Sequence, residues 1–259
     1  MTPRTALRRV TPRKPQPSGK GPAKPSLLRI DARELLTKLD GLELSAHERL
    51  ADRALRLLEE QIVTLQLAPG SVWSETALSK RIRIGRTPVR EAVQRLAADH
   101  LVSIMRRHGI MISQINVQEQ LLVLEARRQL EGYIASRAAR RGTAEQKLQV
   151  AQIADAMRST GKDGDVISFL RYYYFSKKML CEAARNPYAA RAIAPLHTLS
   201  RRFYFLHHKE FDDLLVVAEH HAAQAAAAAV GDEEAALQAS ERIVDYAEGF
   251  TKRIVTGSL

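Results

Sequence analysis

Eight residues, Gly85-Arg86-Thr87-Pro88-Val89-Arg90-Glu91-Ala92, restrict the fold of this chain more than any other stretch. A proline is tolerated in a helix only in the first turn, where its missing N–H has no intrahelical partner to lose and its φ is already helical. Pro88 therefore marks a helix start, with Thr87 as the expected N-cap. Arg86 and Arg90 stand four apart and share one face. Val89, Val93 and Leu96 form the opposite, apolar face. A short amphipathic helix with guanidiniums on its first turns suits a DNA major groove, because an arginine fork matches the O6/N7 acceptors of guanine or a phosphate.

The flanking sequence extends this helix into a larger unit. Ser45-x-x-Glu48 is a capping-box pattern opening a helix whose apolar positions are Leu50, Ala54, Leu57, Leu58, Ile62 and Leu65, stopped by Pro69-Gly70. Ser74-Glu75 starts a short helix to about Arg81, with Ala77 and Leu78 as its buried pair. The arginine helix ends near Asp99-His100. Beyond it, Leu101–Met105 and Ile110–Ser113 are β-prone runs around Arg106-Arg107-His108-Gly109, a basic hairpin tip with glycine at the turn. Helix, helix, arginine helix and hairpin predict a winged helix-turn-helix with a basic wing.

On these residues the chain resembles the GntR family of bacterial transcription regulators. Ala68-Pro69-Gly70, Ser74-Glu75, Arg86-Thr87-Pro88-Val89-Arg90-Glu91-Ala92, Leu96 and His108-Gly109 carry the resemblance, which covers about residues 45–113. It departs at Arg83 and Gly85, where the family has glycine and serine, and at Thr76, where a basic or polar residue is frequent. The resemblance implies that Arg86 and Arg90 read bases or phosphate, that Thr87 touches the backbone and that His108-Gly109 bring the wing to the duplex. Arg95 and Arg106 are expected to hold phosphates, whose loss weakens all sequences alike. A Glu91–Arg95 pair at i,i+4 is the competing reading for Arg95.

Charge agrees with a polyanionic partner. The 259 residues carry a net +11, and eight of those charges lie in residues 1–30, which hold no acid. Six prolines in that stretch argue against a helix, so residues 1–40 are expected to be a disordered basic arm that either clamps phosphate or is simply solvated. Leu35-Leu36-Leu39 form a short apolar-periodic piece. The single Cys181 fits a reducing, cytoplasmic setting. No run approaches a membrane span, and the N-terminus lacks the apolar stretch of a secretory signal.

From Val117 onward the pattern is helix after helix. Asn116 caps one to about Arg141, and Thr143-x-x-Gln146 is a capping box for one ending near Gly161. Others run over about 165–184, 188–208, 211–230 and from Asp232 to about Val255. Short connections between such helices imply an antiparallel bundle. The alanines at 222–229 permit close approach, although they also serve simply as strong helix formers. The fold class expected is mainly α: a winged helix-turn-helix over 41–115 and an all-α helical bundle over 116–259.

The bundle resembles the effector-binding domain of the FadR-like GntR subfamily, on Glu125-x-Arg127-x-x-x-Glu131, Phe175, Asn186-Pro187, His221 and Gly231-Asp232. Many of its members hold a divalent metal through one Asp and three His. Here the Asp-x-x-Phe-His element is Tyr172-Tyr173-Tyr174-Phe175-Ser176, and Ile243 replaces the last histidine, so only His221 remains. One imidazole does not hold a transition metal. No metal and no cofactor are expected, unless His197, His207 or His208 rebuilds a site. The resemblance puts Arg127 on the cavity, ready to pair with a carboxylate effector, whereas an Arg127–Glu131 pair at i,i+4 is the alternative. Tyr172 and Ser176 offer hydroxyls at the ligand positions, with cavity filling as the other role for Tyr172. His221, and Arg201 on the fourth bundle helix, complete the effector set.

The expected molecule is a homodimeric, ligand-responsive regulator of a metabolic operon, probing a pseudo-palindromic operator with two wings and answering to an organic acid or acyl compound. Residues 117–259 show no phosphate-cradling glycine loop, metal cluster or nucleophile–base spacing, so an enzyme is not expected. An architectural DNA-binding protein with a ligand-free bundle is the remaining alternative.

Overall fold

The computed structural model describes residues 49–257. The basic arm, the Leu35-Leu36-Leu39 piece and the Ser45-x-x-Glu48 box lie outside the described residues. The N-terminal unit runs α1 (Leu50–Val63), β1 (Val72–Trp73), α2 (Glu75–Ile82), α3 (Arg86–Ala98), β2 (Val102–Met105) and β3 (Gly109–Ile112). Leu57, Leu58 and Ile62 of α1, Leu78 of α2, Val89 and Leu96 of α3, and Ile112 of β3 meet in one buried core. The apolar face read from the sequence is the face that packs, except at Leu50, which is exposed, and Ala77, which is half-buried.

The wing is an antiparallel sheet of strand order β1-β3-β2, with Val102 opposite Ile112 and Met105 opposite Gly109. β1, unforeseen in the sequence, pairs Val72 with Met111 and Trp73 with Ile110. Two residues are too few to show an alternating pattern. Gly109 (φ +104) passes so close to β1 that a Cβ there would lie 2.7 Å from the Trp73 carbonyl oxygen. Glycine is required at that point for both reasons.

Several helix starts follow the capping residues, whereas α1, after Arg49, and α8, after Asp213, begin without a side-chain cap. Ser74 accepts from Ala77 N at 3.0 Å and Asn116 from Glu119 N at 2.7 Å. The Thr143–Gln146 box is closed in both directions. Thr87, however, is not an N-cap. The N-cap of α3 is Gly85, in extended conformation and without a side-chain bond, which places Arg86 first, Thr87 second and Pro88 third in the helix. Pro88 is still in the first turn, where no hydrogen bond is lost. α1 likewise stops at Val63, ahead of Pro69-Gly70, because Leu65 turns left-handed (φ 57).

The bundle comprises α4 (Val117–Arg141), α5 (Ala144–Asp163), α6 (Val166–Ala184), α7 (Pro187–His207), a 3₁₀ turn (His208–Glu210), α8 (Leu214–Val230) and α9 (Glu233–Gly257). Its core includes Ala135, Met157, Phe169, Leu180 and Ile193. Gly161 is inside α5, which continues to Asp163 and ends on left-handed Gly164. A Cβ at Gly161 would sit 2.7 Å from that of Ala218 on α8, and Ala218, Ala222 and Ala225 are fully buried. The alanines of α8 are therefore a close-packed helix contact as well as helix formers. α8 starts at Leu214, later than expected, because Asp212 (φ 46) interrupts the chain after the 3₁₀ turn. Among the described residues no helix is long and apolar enough to cross a membrane.

The two units are docked. Ile167 of α6 and Leu199 of α7 pack onto the winged core. Arg171 of α6 holds Glu60 of α1 at 2.9 Å, and Arg201 of α7 holds Glu59. The buried Arg202 guanidinium donates to the Ser113 carbonyl, next to the connection between the units.

Candidate nucleic-acid interface and ligand cavities

The first turns of α3 and the wing tip present exposed cations. Arg86, Thr87 and Arg90 are exposed, as are Arg106, Arg107 and His108 at the hairpin tip. Gly109 contributes conformation, since it is pinned beneath β1. Arg90 is not idle: it grips the Glu75 carboxylate at 2.8 and 3.0 Å from the first residue of α2. That guanidinium holds the Glu75 carboxyl below its usual range. Arg90 must share or leave Glu75 to reach a base, so Glu75 presets its direction. Arg95 is set apart from this face. It lies in the last turn of α3, pairs with Asp52 of α1 at 2.6 Å and lines a cleft against the bundle. Glu91 is not its partner there.

Inside the bundle a small cavity of about 50 Å³ is lined by Arg127, Tyr173, Arg201, His221 and Ile243. Arg127 is buried and bonded to Glu131 at 2.8 and 3.1 Å, the i,i+4 pair left open by the sequence. Glu131 is a hub. It also accepts from Lys177 and meets His197 Nε2 at 2.9 Å, while Gln224 bridges Lys177 to Ser240. Burial alone pushes the Glu131 carboxyl up, but Lys177, His197 and Arg127 outweigh it and hold it well below the usual range. Burial pushes His197 down to about 4 and lowers Lys177, in both cases against the attraction of Glu131. His221, buried beside Lys177 and Arg127, is well below the ordinary histidine value.

Tyr173, not Tyr172, faces this cavity. Its ring lies 4.3 Å from that of His221, and burial raises its phenol to about 12. Tyr172 is half-buried against the core and lines neither cavity, because one helical residue turns the side chain by about 100°. Ser176 is buried, and its Oγ, like Tyr173 Oη and His221 Nδ1, has no hydrogen-bond partner among the described residues. The structure thus brings Arg127, Arg201 and His221 together on the inner cavity and leaves Tyr172 and Ser176 off the lining of both cavities. The roles of Tyr173 and Lys177 were missed by sequence reasoning, which offered His197 only as a metal ligand and Glu131 only through its i,i+4 spacing from Arg127.

These residues do not fit a metal. The four ligand positions of metal-holding relatives are Tyr172, Ser176, His221 and Ile243, of which one is an imidazole and one has no donor atom. Among the described residues no three of His, Cys, Asp and Glu cluster suitably. An ammonium and a guanidinium are buried nearby instead.

A second, larger space of about 610 Å³ opens between the two units. It is lined by Leu55, Glu59 and Arg95 on one side and by Tyr174, Lys177 and Arg201 among others on the bundle side. Tyr173 and Arg201 border both spaces.

Comparison with known proteins agrees with both halves. Residues 50–112 match the family model of bacterial regulatory proteins of the gntR family, and residues 122–246 match the FCD domain. An HTH-type transcriptional regulator from the TAR-I ttuE–ttuC′ intergenic region of Agrobacterium vitis is 34% identical over 116 residues, 44% of this chain and 67% of that protein. The HTH-type transcriptional repressor RspR of Escherichia coli K12 is 31% identical over 110 residues, 42% of this chain, and the match spans about half (48%) of that repressor's length. Among solved structures, E. coli McbR/YncC superposes with TM-score 0.69 at 16% identity, over 80% of this chain and 99% of that one. A GntR regulator from Rhodococcus sp. RHA1 gives 0.57 at 19%, over 78% and 96%. At such identities these two show the fold. The chain belongs to the GntR family: it is a DNA-binding transcription regulator, not an enzyme, with a winged helix-turn-helix followed by an FCD effector-binding domain of the FadR-like kind.

Proposed function

We propose that this regulator is a cytoplasmic homodimeric repressor of a metabolic operon, released from a pseudo-palindromic operator by a small organic acid. The observation that carries the effector class is the charge balance of the bundle core. Arg127 and Lys177 are both buried and share one buried carboxylate, Glu131, while His197 is neutral above about pH 4. One buried positive charge thus lacks a counterion within the cluster, an expensive arrangement that an anionic ligand relieves. The name of the RspR relative, a repressor, favours repression. Arg86, Thr87 and Arg90 are assigned to base and backbone contacts, and Arg106, His108 and Gly109 to the wing. Arg127, Arg201 and His221 are assigned to the effector side. Arg95 is assigned to the cleft between the units rather than to DNA, and Tyr173 takes the place given to Tyr172.

A second reading rests on the size of the inner cavity. About 50 Å³ is far below the roughly 300 Å³ of ordinary ligand pockets, which favours a ligand-free architectural protein if no other space is used. A genome-wide footprint of the purified protein separates the two. A pseudo-palindrome beside a transport or catabolic operon, vacated on adding that pathway's acid, supports the repressor. Uniform, salt-sensitive coverage overturns it.

A further inference from the structure

Glu59 is a carboxylate of the DNA-binding unit held by groups of the effector domain. It stands on α1, and its Oε1 accepts from the Arg201 guanidinium and from Thr198 Oγ1 at 2.8 Å. Arg201 and Thr198 are one turn apart on α7 and both buried. A guanidinium and a hydroxyl converging on one carboxylate form an anion seat. Here the seat belongs entirely to the effector domain, and the anion in it comes from the other unit.

The seat is not sealed. Glu59, Thr198 and Arg201 all line the cleft of about 610 Å³, a volume in the range of small-molecule sites. Leu55, Tyr174 and Pro195 give that cleft apolar walls. Lys177 and His197 lie deeper, on the Glu131 cluster with its unbalanced positive charge. Unused donors remain at this spot: Arg201 Nε and Tyr173 Oη are buried without a hydrogen-bond partner among the described residues. At the mouth, Lys178, Arg185 and Arg191 outnumber Glu182 and Asp99, so the opening attracts anions.

We propose that Arg201 and Thr198 form the carboxylate seat of an organic acid with an apolar body, bound in the cleft between the units, and that Glu59 is its intramolecular stand-in. Ligand and DNA-binding unit then compete for one guanidinium. This rests on the ligand-responsive reading above, and adds where the ligand binds and how its arrival is felt. A ligand carboxylate on Arg201 leaves Glu59 facing a cleft without its partner. The neighbouring Glu60–Arg171 contact is then the ion pair left between α1 and the bundle at this site. The ligand is thereby more compatible with an undocked α1 than a docked one, which is the differential affinity that coupling requires.

The test uses the full-length protein and propionate, which has the atoms of a glutamate side chain beyond Cα. Removing the stand-in in Glu59→Ala should make propionate bind at least tenfold more tightly than to the wild type. Propionamide should not bind, and adding Arg201→Met should abolish the gain. Glu59→Gln, which keeps the side-chain volume, should show a smaller gain in the same direction if the alanine variant folds poorly. Amide exchange in α1 of Glu59→Ala should match that of wild type saturated with propionate. Equal propionate affinity in wild type and both Glu59 variants, or a gain that survives Arg201→Met, overturns the proposal. An absent operator in the footprint overturns the repressor reading and leaves the propionate titration to decide the seat. A specific operator with no gain in the variants overturns the seat alone.

Discussion

Glu131 shows how much one buried side chain decides. It bonds Arg127, Lys177 and His197 at once, and all four are shielded from water. Glu131→Gln leaves two buried cations unpaired, so urea unfolding should show a loss of about 3–5 kcal/mol. Lys177→Met removes the cation in excess and should cost clearly less; the reverse order would refute this charge balance. The histidines add a pH dependence of definite sign. In the unfolded chain histidine titrates near 6.5, whereas His197 folds with a value of about 4 and His221 well below its ordinary one. Both are therefore held neutral in the fold, and their contribution is complete above about pH 6.5. As pH falls from there towards 4, the unfolded state takes up protons first, and stability drops by up to about 1.4 kcal/mol per pH unit for each histidine. Urea midpoints at pH 7.5 and pH 5.0 should differ accordingly, and His197→Gln should reduce the difference.

At the scale of elements, α3 and the wing divide the work of binding. Arg86 is exposed on the first residue of α3, so Arg86→Ala should cost about 1–3 kcal/mol on the operator and relax the choice of one base. Arg106 at the wing tip is a backbone contact in this reading. Arg106→Ala should weaken operator and scrambled DNA alike and flatten the salt slope by about one. Anisotropy titrations on both duplexes at several salt concentrations distinguish the two. In the bundle, Thr143→Ala opens the capping box of α5 and should lower stability by about 1 kcal/mol without touching DNA affinity. These elements were readable because their signals are local. The capping residues Ser74, Asn116 and Thr143 act within one turn, and the 3.6-residue period of α3 marks its buried face. Thr87 misled because Gly85, which offers no side chain, takes the cap one residue before the arginine.

At the scale of the whole molecule, charge and docking set the behaviour. We propose that the eight basic residues in 1–30 add to polyanion binding without reading sequence. Deleting residues 1–30 should reduce affinity for all DNA and flatten the salt slope, by up to about 0.9 for each phosphate the arm neutralises, with the operator-to-scrambled ratio unchanged. The docked arrangement of α1 on α6 and α7 is the other large-scale feature. Its ion pairs Glu59–Arg201 and Glu60–Arg171 join residues more than a hundred positions apart. Adjacent acids on a helix give no hint in sequence that they face two arginines of another unit.

The sequence by itself determined the helices and hairpin of the winged unit, the order of the helices and the family, because these depend on proline geometry, helix caps and periodicity within a few residues. It also showed that, of the four positions where metal-holding relatives carry ligands, only His221 is an imidazole. Only the tertiary structure decided that Tyr173 rather than Tyr172 borders the cavity, that Arg95 pairs with Asp52 and lines the cleft, and that Lys177 is buried while Lys178 is exposed. Those outcomes depend on which neighbouring helix each side chain meets, and a difference of one residue rotates it by about 100° into another environment.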